Sequence, residues 1–484
     1  MDTFELLTPR DRIQRAIGIT LGGTLLAGVV VLALNRPVVV VGALLVLAGG
    51  FAIVRFPIAA LVFVLFLLPF HIALVISLGQ KAHVGIGPLQ YWKDVAIVGL
   101  FARAIYTRLW CDRRLPFRDP GDNLLLLYIV AMIAIAIASP SRPTVGAALG
   151  RYVEGPMILL TIRYLRPSRR ELWWCAGAVL TAVAIIGAVA VIETLGPKVD
   201  FQHWYGVKTN AAGDPFFLGP GKGYRSGSFL SSPFTLGFVM AGAAPFAWAL
   251  ALLRGPSRPA ATVAAVACSG GLIAAATRSG YLGGMVAVLV VILFAVRNPA
   301  IRISLLSIVV VVIASGMVYY TSKGSNVLVR PQSNAAHQDA LERDFQLLAA
   351  RPFGYGMGTT DTHKLRAGSG PGQLGFTESS FMAKALETGV QGLALYLIAL
   401  FTTLFRLRRT RFIARRAGDG QAVAIAAGAI GAMVGVSLAG MSLGVHELVV
   451  EEMLWALPGI ALAWPIAGRA VAARASLESM SSRP

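Results

Sequence analysis

Phe56–Leu78 reads FPIAALVFVLFLLPFHIALVISL, a run without a single Asp, Glu, Lys or Arg. As a helix rising about 1.5 Å per residue it reaches about 35 Å, enough to cross a hydrocarbon core about 30 Å thick. In lipid only a helix or a closed barrel satisfies its own backbone, and an unbroken apolar run of this length lacks the alternation of a barrel strand. This stretch therefore decides the fold class: an all-α membrane protein.

Outward from it the same pattern recurs. Further apolar blocks lie at about Ile17–Leu34, Val38–Val54, Tyr91–Leu109, Asn123–Ala138, Ala147–Leu165, Trp173–Leu195 and Ser228–Leu253. Others follow at about Ala260–Ala276, Tyr281–Val296, Ile303–Tyr320, Phe381–Phe405, Ala422–Leu443 and Leu448–Ala467. With the opening stretch these predict a polytopic helical protein of roughly 12–14 transmembrane helices. The first block lacks a small-residue cleavage site and is followed at once by the second, so it reads as a retained span rather than a signal peptide. Composition agrees: the 484 residues are 56% hydrophobic and 14% charged, against about 45–50% and about 25% in soluble chains.

The net charge of +20 does not point to nucleic acid, which needs a basic face on a soluble domain. The arginines stand instead in short clusters between apolar blocks, as cytoplasmic loops do. A cytoplasmic N-terminus places Arg10, Arg12 and Arg15 inside, and with them Arg108, Arg113, Arg114 and Arg118; Arg166, Arg169 and Arg170; Arg254 and Arg258; Arg297 and Arg302. The densest run, Arg406 to Arg416, also falls inside, as does the C-terminus. Cys111, Cys175 and Cys268 are widely spaced and fit neither a disulfide nor a zinc pattern; no metal or other cofactor is expected.

The same alternation exports two long connections, about Gly196–Tyr224 and about Thr321–Thr377. Long connections of this kind carry function, so the active face is expected outside. In the second, Leu341, Phe345 and Leu348 recur at helical spacing among Asp339, Glu342, Arg343, Asp344 and Gln346, and Pro352 ends the pattern. A short amphipathic helix is predicted there, lying on the membrane or on the bundle. The following Pro352–Gly358, PFGYGMG, reads as a turn-rich loop, with anion binding through exposed N–H groups as the alternative.

Charges inside spans are costly and mark functional candidates. They are Lys93 and Asp94, Arg151 and Glu154, Glu193, and Glu447, Glu451 and Glu452. Arg151 and Glu154 stand three apart on one helix face and are expected to form a structural ion pair. Arg225 and Arg278 lie at outer membrane edges in Ser/Gly-rich sequence. One such arginine reads as a headgroup anchor; two on the side of both long loops suggest an anion clamp, since the planar guanidinium suits phosphate.

Three segments then resemble the O-antigen ligase and O-antigen polymerase superfamily of bacterial membrane glycosyltransferases. They are Arg225-Ser226-Gly227-Ser228-Phe229-Leu230-Ser231-Ser232-Pro233, Thr277-Arg278-Ser279-Gly280, and Arg351–Gly356 with Glu378-Ser379-Ser380-Phe381-Met382 and Glu387-Thr388-Gly389. The resemblance covers roughly Gly221–Leu404 and implies three divisions: 1–220, an N-terminal transmembrane bundle; 221–470, the ligase/polymerase-like region with exported loop 321–377; and 471–484, a cytoplasmic tail.

It further implies a multi-pass protein of the bacterial inner membrane that moves a glycan from an undecaprenyl-diphosphate carrier to an acceptor hydroxyl at the outer face, without a metal. Its expected partners are that carrier-linked oligosaccharide, the glycan acceptor, the bilayer and other polysaccharide assembly proteins, with no nucleic acid. Arg225 and Arg278 would bind the diphosphate, and Glu378 stands where ligases are credited with a histidine base. That departure favours a polymerase of exopolysaccharide, capsule or O-antigen repeats over a lipid A-core ligase. Arg151, Asp361, His363 and Glu387 are secondary candidates. A transporter or flippase, and a non-catalytic scaffold, are the readings from other classes; the absence of a visible half-to-half repeat weighs against the first.

Overall fold

The computed structural model describes residues 47–81, 91–111, 119–139, 142–195, 226–230, 232–253, 255, 257–296, 298–307, 309, 311, 331–360, 374, 377, 379–441 and 448–481. The chain divides into two compact units, Met1–Phe56 and Pro57–Pro484. In the first, residues 47–55 are helical.

The second unit is a helical bundle. The opening stretch forms α1 (Pro57–Leu67) and α2 (His71–Lys81), joined by one 3₁₀ turn at Leu68–Phe70 where Pro69 cannot donate. Then follow α3 (Trp92–Tyr106), α4 (Pro120–Ala138), α5 (Arg142–Leu165) and α6 (Arg169–Leu195). After the first long connection come α7 (Pro233–Ala251), α8 (Arg258–Ala275) and α9 (Arg278–Ala295). The second long connection contains α10 (Pro331–Ala350), and α11 (Ser380–Arg416), α12 (Gly420–Met441) and α13 (Leu448–Ser481) complete the unit. Among the described residues eight helical segments are long and apolar enough to cross a membrane: α1 with α2, and α4, α6, α7, α8, α9, α11 and α12. The protein is thus polytopic and α-helical; the predicted blocks before residue 47 lie outside the described residues.

Helix α7 is apolar on every side and sits at the centre, packed on α8, α9 and α12. Between lipid-soluble helices water supplies no hydrophobic drive, so small residues that admit close backbones do the packing. Where α9 crosses α12, a Cβ on Gly435 would lie 2.8 Å from the Gly283 carbonyl and 2.7 Å from Ala287 Cβ. Any larger residue there would push the two helices apart.

One end of the bundle is laced by charge. Asp119 caps α4 through Gly121 N at 3.0 Å, and with Asp122 it binds two guanidiniums. Arg406 on α11 reaches Asp119 at 2.8 Å and Asp122 at 3.1 Å; Arg163 on α5 reaches Asp119 at 3.0 Å and also bonds Asp122. Burial alone would raise the Asp119 carboxyl, but the Arg406 and Arg163 guanidiniums outweigh it and hold the group below the usual carboxylate range. Its contribution is therefore present at neutral pH and lost on acidification through that lowered value. Arg169 meets Asp419 at 2.6 Å, and Arg411 Nε donates to the Phe294 carbonyl at 2.9 Å. The start of α4, the end of α5, the start of α6, the end of α9, the end of α11 and the start of α12 thus share one end.

Helix α10 forms where predicted and stops at Ala350, two residues before Pro352. It buries Asp344, with Leu347 and Leu348 half-buried, while Leu341 and Phe345 are exposed. Arg406→Ala leaves Arg163 as the remaining partner of buried Asp122, so it is expected to cost about 1–3 kcal/mol. Thermal unfolding in detergent, in a double-mutant cycle with Asp122→Asn, should show coupling between the two positions.

Candidate functional site

The opposite end of the bundle gathers the sequence motifs. The last turn of α6 carries Glu193, which is 3% exposed. Its carboxylate accepts from Ser226 Oγ and from Ser228 N at 3.1 Å, and Ser228 Oγ donates to the Ile186 carbonyl at 2.9 Å. Ser228 adopts φ 50°, a left-handed turn held by these bonds. Glu193, a functional candidate by its charge inside a span, anchors the Ser226-Gly227-Ser228 turn.

That turn is also fixed to α8. Ser226 N donates to the Ala274 carbonyl at 3.1 Å. Helix α8 then ends with Ala276 at φ 47°, Thr277 is extended, and Arg278 opens α9. The first two arginine motifs, some fifty positions apart in sequence, are therefore neighbours: the residue after Arg225 is tied four residues ahead of Arg278. Arg225 itself lies outside the described residues. Arg278 is half-buried at the first position of a helix, where the positive end of the macrodipole makes a second positive charge unfavourable unless an anion joins it.

The third motif set forms a docked loop. Helix α11 is interrupted at Gly389, φ 77° and ψ 173°, a conformation open essentially to glycine alone. The break frees backbone groups that the loop after α10 takes up. Tyr355 N donates to Leu386 O at 2.7 Å, Gly356 N to Glu387 O at 3.2 Å, and Val390 N to Pro352 O at 2.9 Å. Contact is so close that a Cβ on Gly354 would stand 2.5 Å from Gly389 N, and one on Gly389 2.6 Å from Phe353 C. The PFGYG and Glu-Thr-Gly motifs are two halves of one backbone joint.

Glu387 locks that joint. Its Oε1 accepts from Thr360 N at 3.2 Å and Thr360 Oγ1 at 2.6 Å, and its Oε2 accepts from Tyr152 OH at 2.6 Å. Arg151 stands 3.7 Å away. The expected Arg151–Glu154 pair is corrected: Arg151 turns to Glu387 on α11, while Glu154, one turn on, points to Lys93 at 2.5 Å on α3. Three residues along a helix make a shared face, but a buried charge goes to whichever neighbouring helix offers the opposite sign. The loop is further held by Met357 N to Ser139 Oγ at 3.0 Å and by Leu374 N to Thr359 O at 3.0 Å. Asp361, His363 and Glu378 lie outside the described residues; Thr377 and Ser379, which flank Glu378, are buried.

Below Ser379, the N-cap of α11, a small cavity opens between α7, α11, α12 and α13, lined by Phe238, Ser380, Phe381, Lys384, Ser437 and Glu451. Lys384 Nζ binds Glu451 at 2.6 Å and lies 4.8 Å from the centre of the Tyr396 ring. The sequence reading passed over Lys384, although a lysine four residues into the apolar run from Phe381 was a visible signal. Tyr152 gave none, because a tyrosine in a span is ordinary.

The family model described as O-antigen ligase matches residues 263–397, from within α8 through α9 and the docked loop to the middle of α11. No curated protein matches the chain. The match confirms the resemblance over the Thr277–Gly280 and Arg351–Gly389 motifs, and the helical bundle carries them as a membrane protein must. A region similar to O-antigen ligases, set in a multi-pass helical membrane bundle, supports the coarse class of a membrane glycan transferase of the ligase or polymerase kind.

Gly389→Ala forces a side chain into a backbone conformation costing about 1–3 kcal/mol. The joint should open about tenfold or more often, seen as faster protease cleavage in 351–360 while the bundle stays folded.

Proposed function

We propose that the chain polymerises carrier-linked glycan repeats of an exopolysaccharide, capsule or O-antigen at the outer face of the inner membrane. In this reading the acceptor hydroxyl attacks the anomeric carbon of the undecaprenyl-diphosphate-linked donor. The bond from that carbon to the diphosphate oxygen breaks, its electron pair leaves with the diphosphate, and the hydroxyl proton passes to Glu378. Fixed cations stabilise the departing charge most where water is excluded, the role assigned to Arg225 and Arg278.

The observation that supports this best is the Ser226 N to Ala274 O bond, which ties the Arg225 block beside the start of α9. A single edge arginine would anchor the protein to headgroups; two in motifs joined by this bond, beside the N-terminus of α9, suit a diphosphate. Glu378 in place of a histidine favours a polymerase over a lipid A-core ligase. Asp361 and His363 remain secondary candidates for the proton. Arg151 and Glu387 act by holding the loop rather than by touching substrate.

The outward orientation is supported by the bundle's polarity. Helix α4 has Asp119 bound to Arg406 at one end and Ser139 bound to the docked loop at the other, and α9 runs from Arg278 to the Phe294–Arg411 contact. The arginine-rich end is assigned to the cytoplasm by the positive-inside rule, with both termini there. Residues 221–470 would then carry the catalytic region and 1–220 the supporting bundle, whose α5 and α6 hold the motifs in place.

Reporter fusions should place the Arg406–Arg416 connection inside and the Ser325–Gly375 loop outside; both on one side would undo the site. Arg278→Lys keeps the charge but loses the bidentate fork, and polymer yield should fall sharply at normal protein level. Glu378→Gln should slow transfer by about 10²–10⁴-fold, with carrier-linked repeats accumulating. Near-normal polymer in Glu378→Gln would take Glu378 off the catalytic list.

A further inference from the structure

A second polar centre lies inside the bundle, and nothing in the transfer chemistry uses it. Lys93 on α3 is fully buried, and its ammonium binds three carboxylates: Glu154 on α5 at 2.5 Å, Asp94 at 2.7 Å and Glu452 on α13 at 2.9 Å. An ammonium has three N–H donors, so each carboxylate receives one and Lys93 is saturated.

The charges do not balance. One cation faces three acids, and the two carboxylates contributed by α5 and α13 are 3% and 0% exposed. All three carboxylates bind the same nitrogen, so their oxygens converge around one point. Ionised carboxylates offer each other only acceptors, so a group gathered around one ammonium is relieved of repulsion when a proton joins it. Glu452 Oε2 is moreover buried without a partner, an acceptor from which water is excluded. A buried ion without a counter-charge takes up a proton in preference to remaining charged.

We propose that Asp94, Glu154 and Glu452 form a proton-binding site that holds at least one proton at neutral pH, and that this proton joins α3, α5 and α13. The proton belongs to the group rather than to any one acid, because sites this close titrate together. Among the described residues the charged and titratable neighbours are few. His71 on α2 stands beside Lys93 and Asp94, with its ring 5.8 Å from that of Trp92. Arg151, one turn from Glu154, is engaged by Glu387, and Glu451, beside Glu452, is engaged by Lys384 on the far side of α13. Helix α1, which also packs on α3, carries no ionisable side chain.

Two consequences can be read without any glycan substrate, so the test is independent of the proposed polymerisation. Infrared spectra of the purified full chain in lipid should contain a protonated-carboxyl C=O band that shifts in D₂O, fades on going from neutral to alkaline pH, and weakens in both Glu154→Gln and Glu452→Gln. Removing the proton leaves excess negative charge buried, so wild-type thermal stability should fall toward alkaline pH, whereas Glu452→Gln, a neutral copy of the protonated acid, should remain nearly flat. A band unchanged in both variants, or a wild type whose stability is indifferent to alkaline pH, overturns the proposal. So does failure of the Gln variants to fold at neutral pH, because a cluster that needs a neutral member should accept one.

Discussion

A charge buried among membrane helices must find its counter-charge on another helix, and in this bundle that requirement fixes the assembly. Glu451 and Glu452 are adjacent in sequence, so on a helix they point about 100° apart. Glu451 takes Lys384 of α11 and Glu452 takes Lys93 of α3. One turn-opening pair therefore ties α13 to helices on two of its sides. Glu154 adds α5 to the Lys93 centre, and Arg151 and Tyr152, just before it, bind α11 through Glu387. Breaking the Lys384–Glu451 pair leaves an unpaired ion in a medium that cannot solvate it, a larger penalty than the pair's own net stabilisation.

The apolar contacts set distance where the ion pairs set rotation. Gly283 and Gly435 let α9 and α12 approach backbone to backbone, and α7 is enclosed on all sides. This rigid centre carries the start of α9 on one flank and the start of α11 on the other. The docked loop then spans from α10 to the Gly389 break, held by α4 through Ser139 and by α5 through Tyr152 and Arg151. The motif residues thus separate into two groups. Gly354, Gly389 and Glu387 build the joint, whereas Ser226, which follows Arg225, and Arg278 stand at the junction of α8 and α9 and take no part in it.

Side-chain type alone does not tell these residues apart. Glu387 has the composition of a catalytic acid, yet Thr360, Tyr152 and Arg151 together occupy its carboxylate. Glu193, a functional candidate in sequence, is the peg of a left-handed serine turn. Lys384 was hidden inside a run read as apolar, although it lines the cavity below Ser379.

The amino-acid sequence by itself determined the medium, the helices and the order of the motifs, because apolar runs of spanning length, arginine clusters and glycine positions are local properties of the chain. It also placed α10 and its end at Pro352, where backbone and side-chain periodicity are enough. Pairing was decided only by the tertiary structure. Arg151 chose Glu387 over Glu154, and Ser226 met Ala274, because partners hundreds or tens of residues away in sequence lay nearer in space than those one turn along. Inside a bilayer the strength of a polar contact depends on which helices exclude solvent around it, and that is settled only when the helices pack.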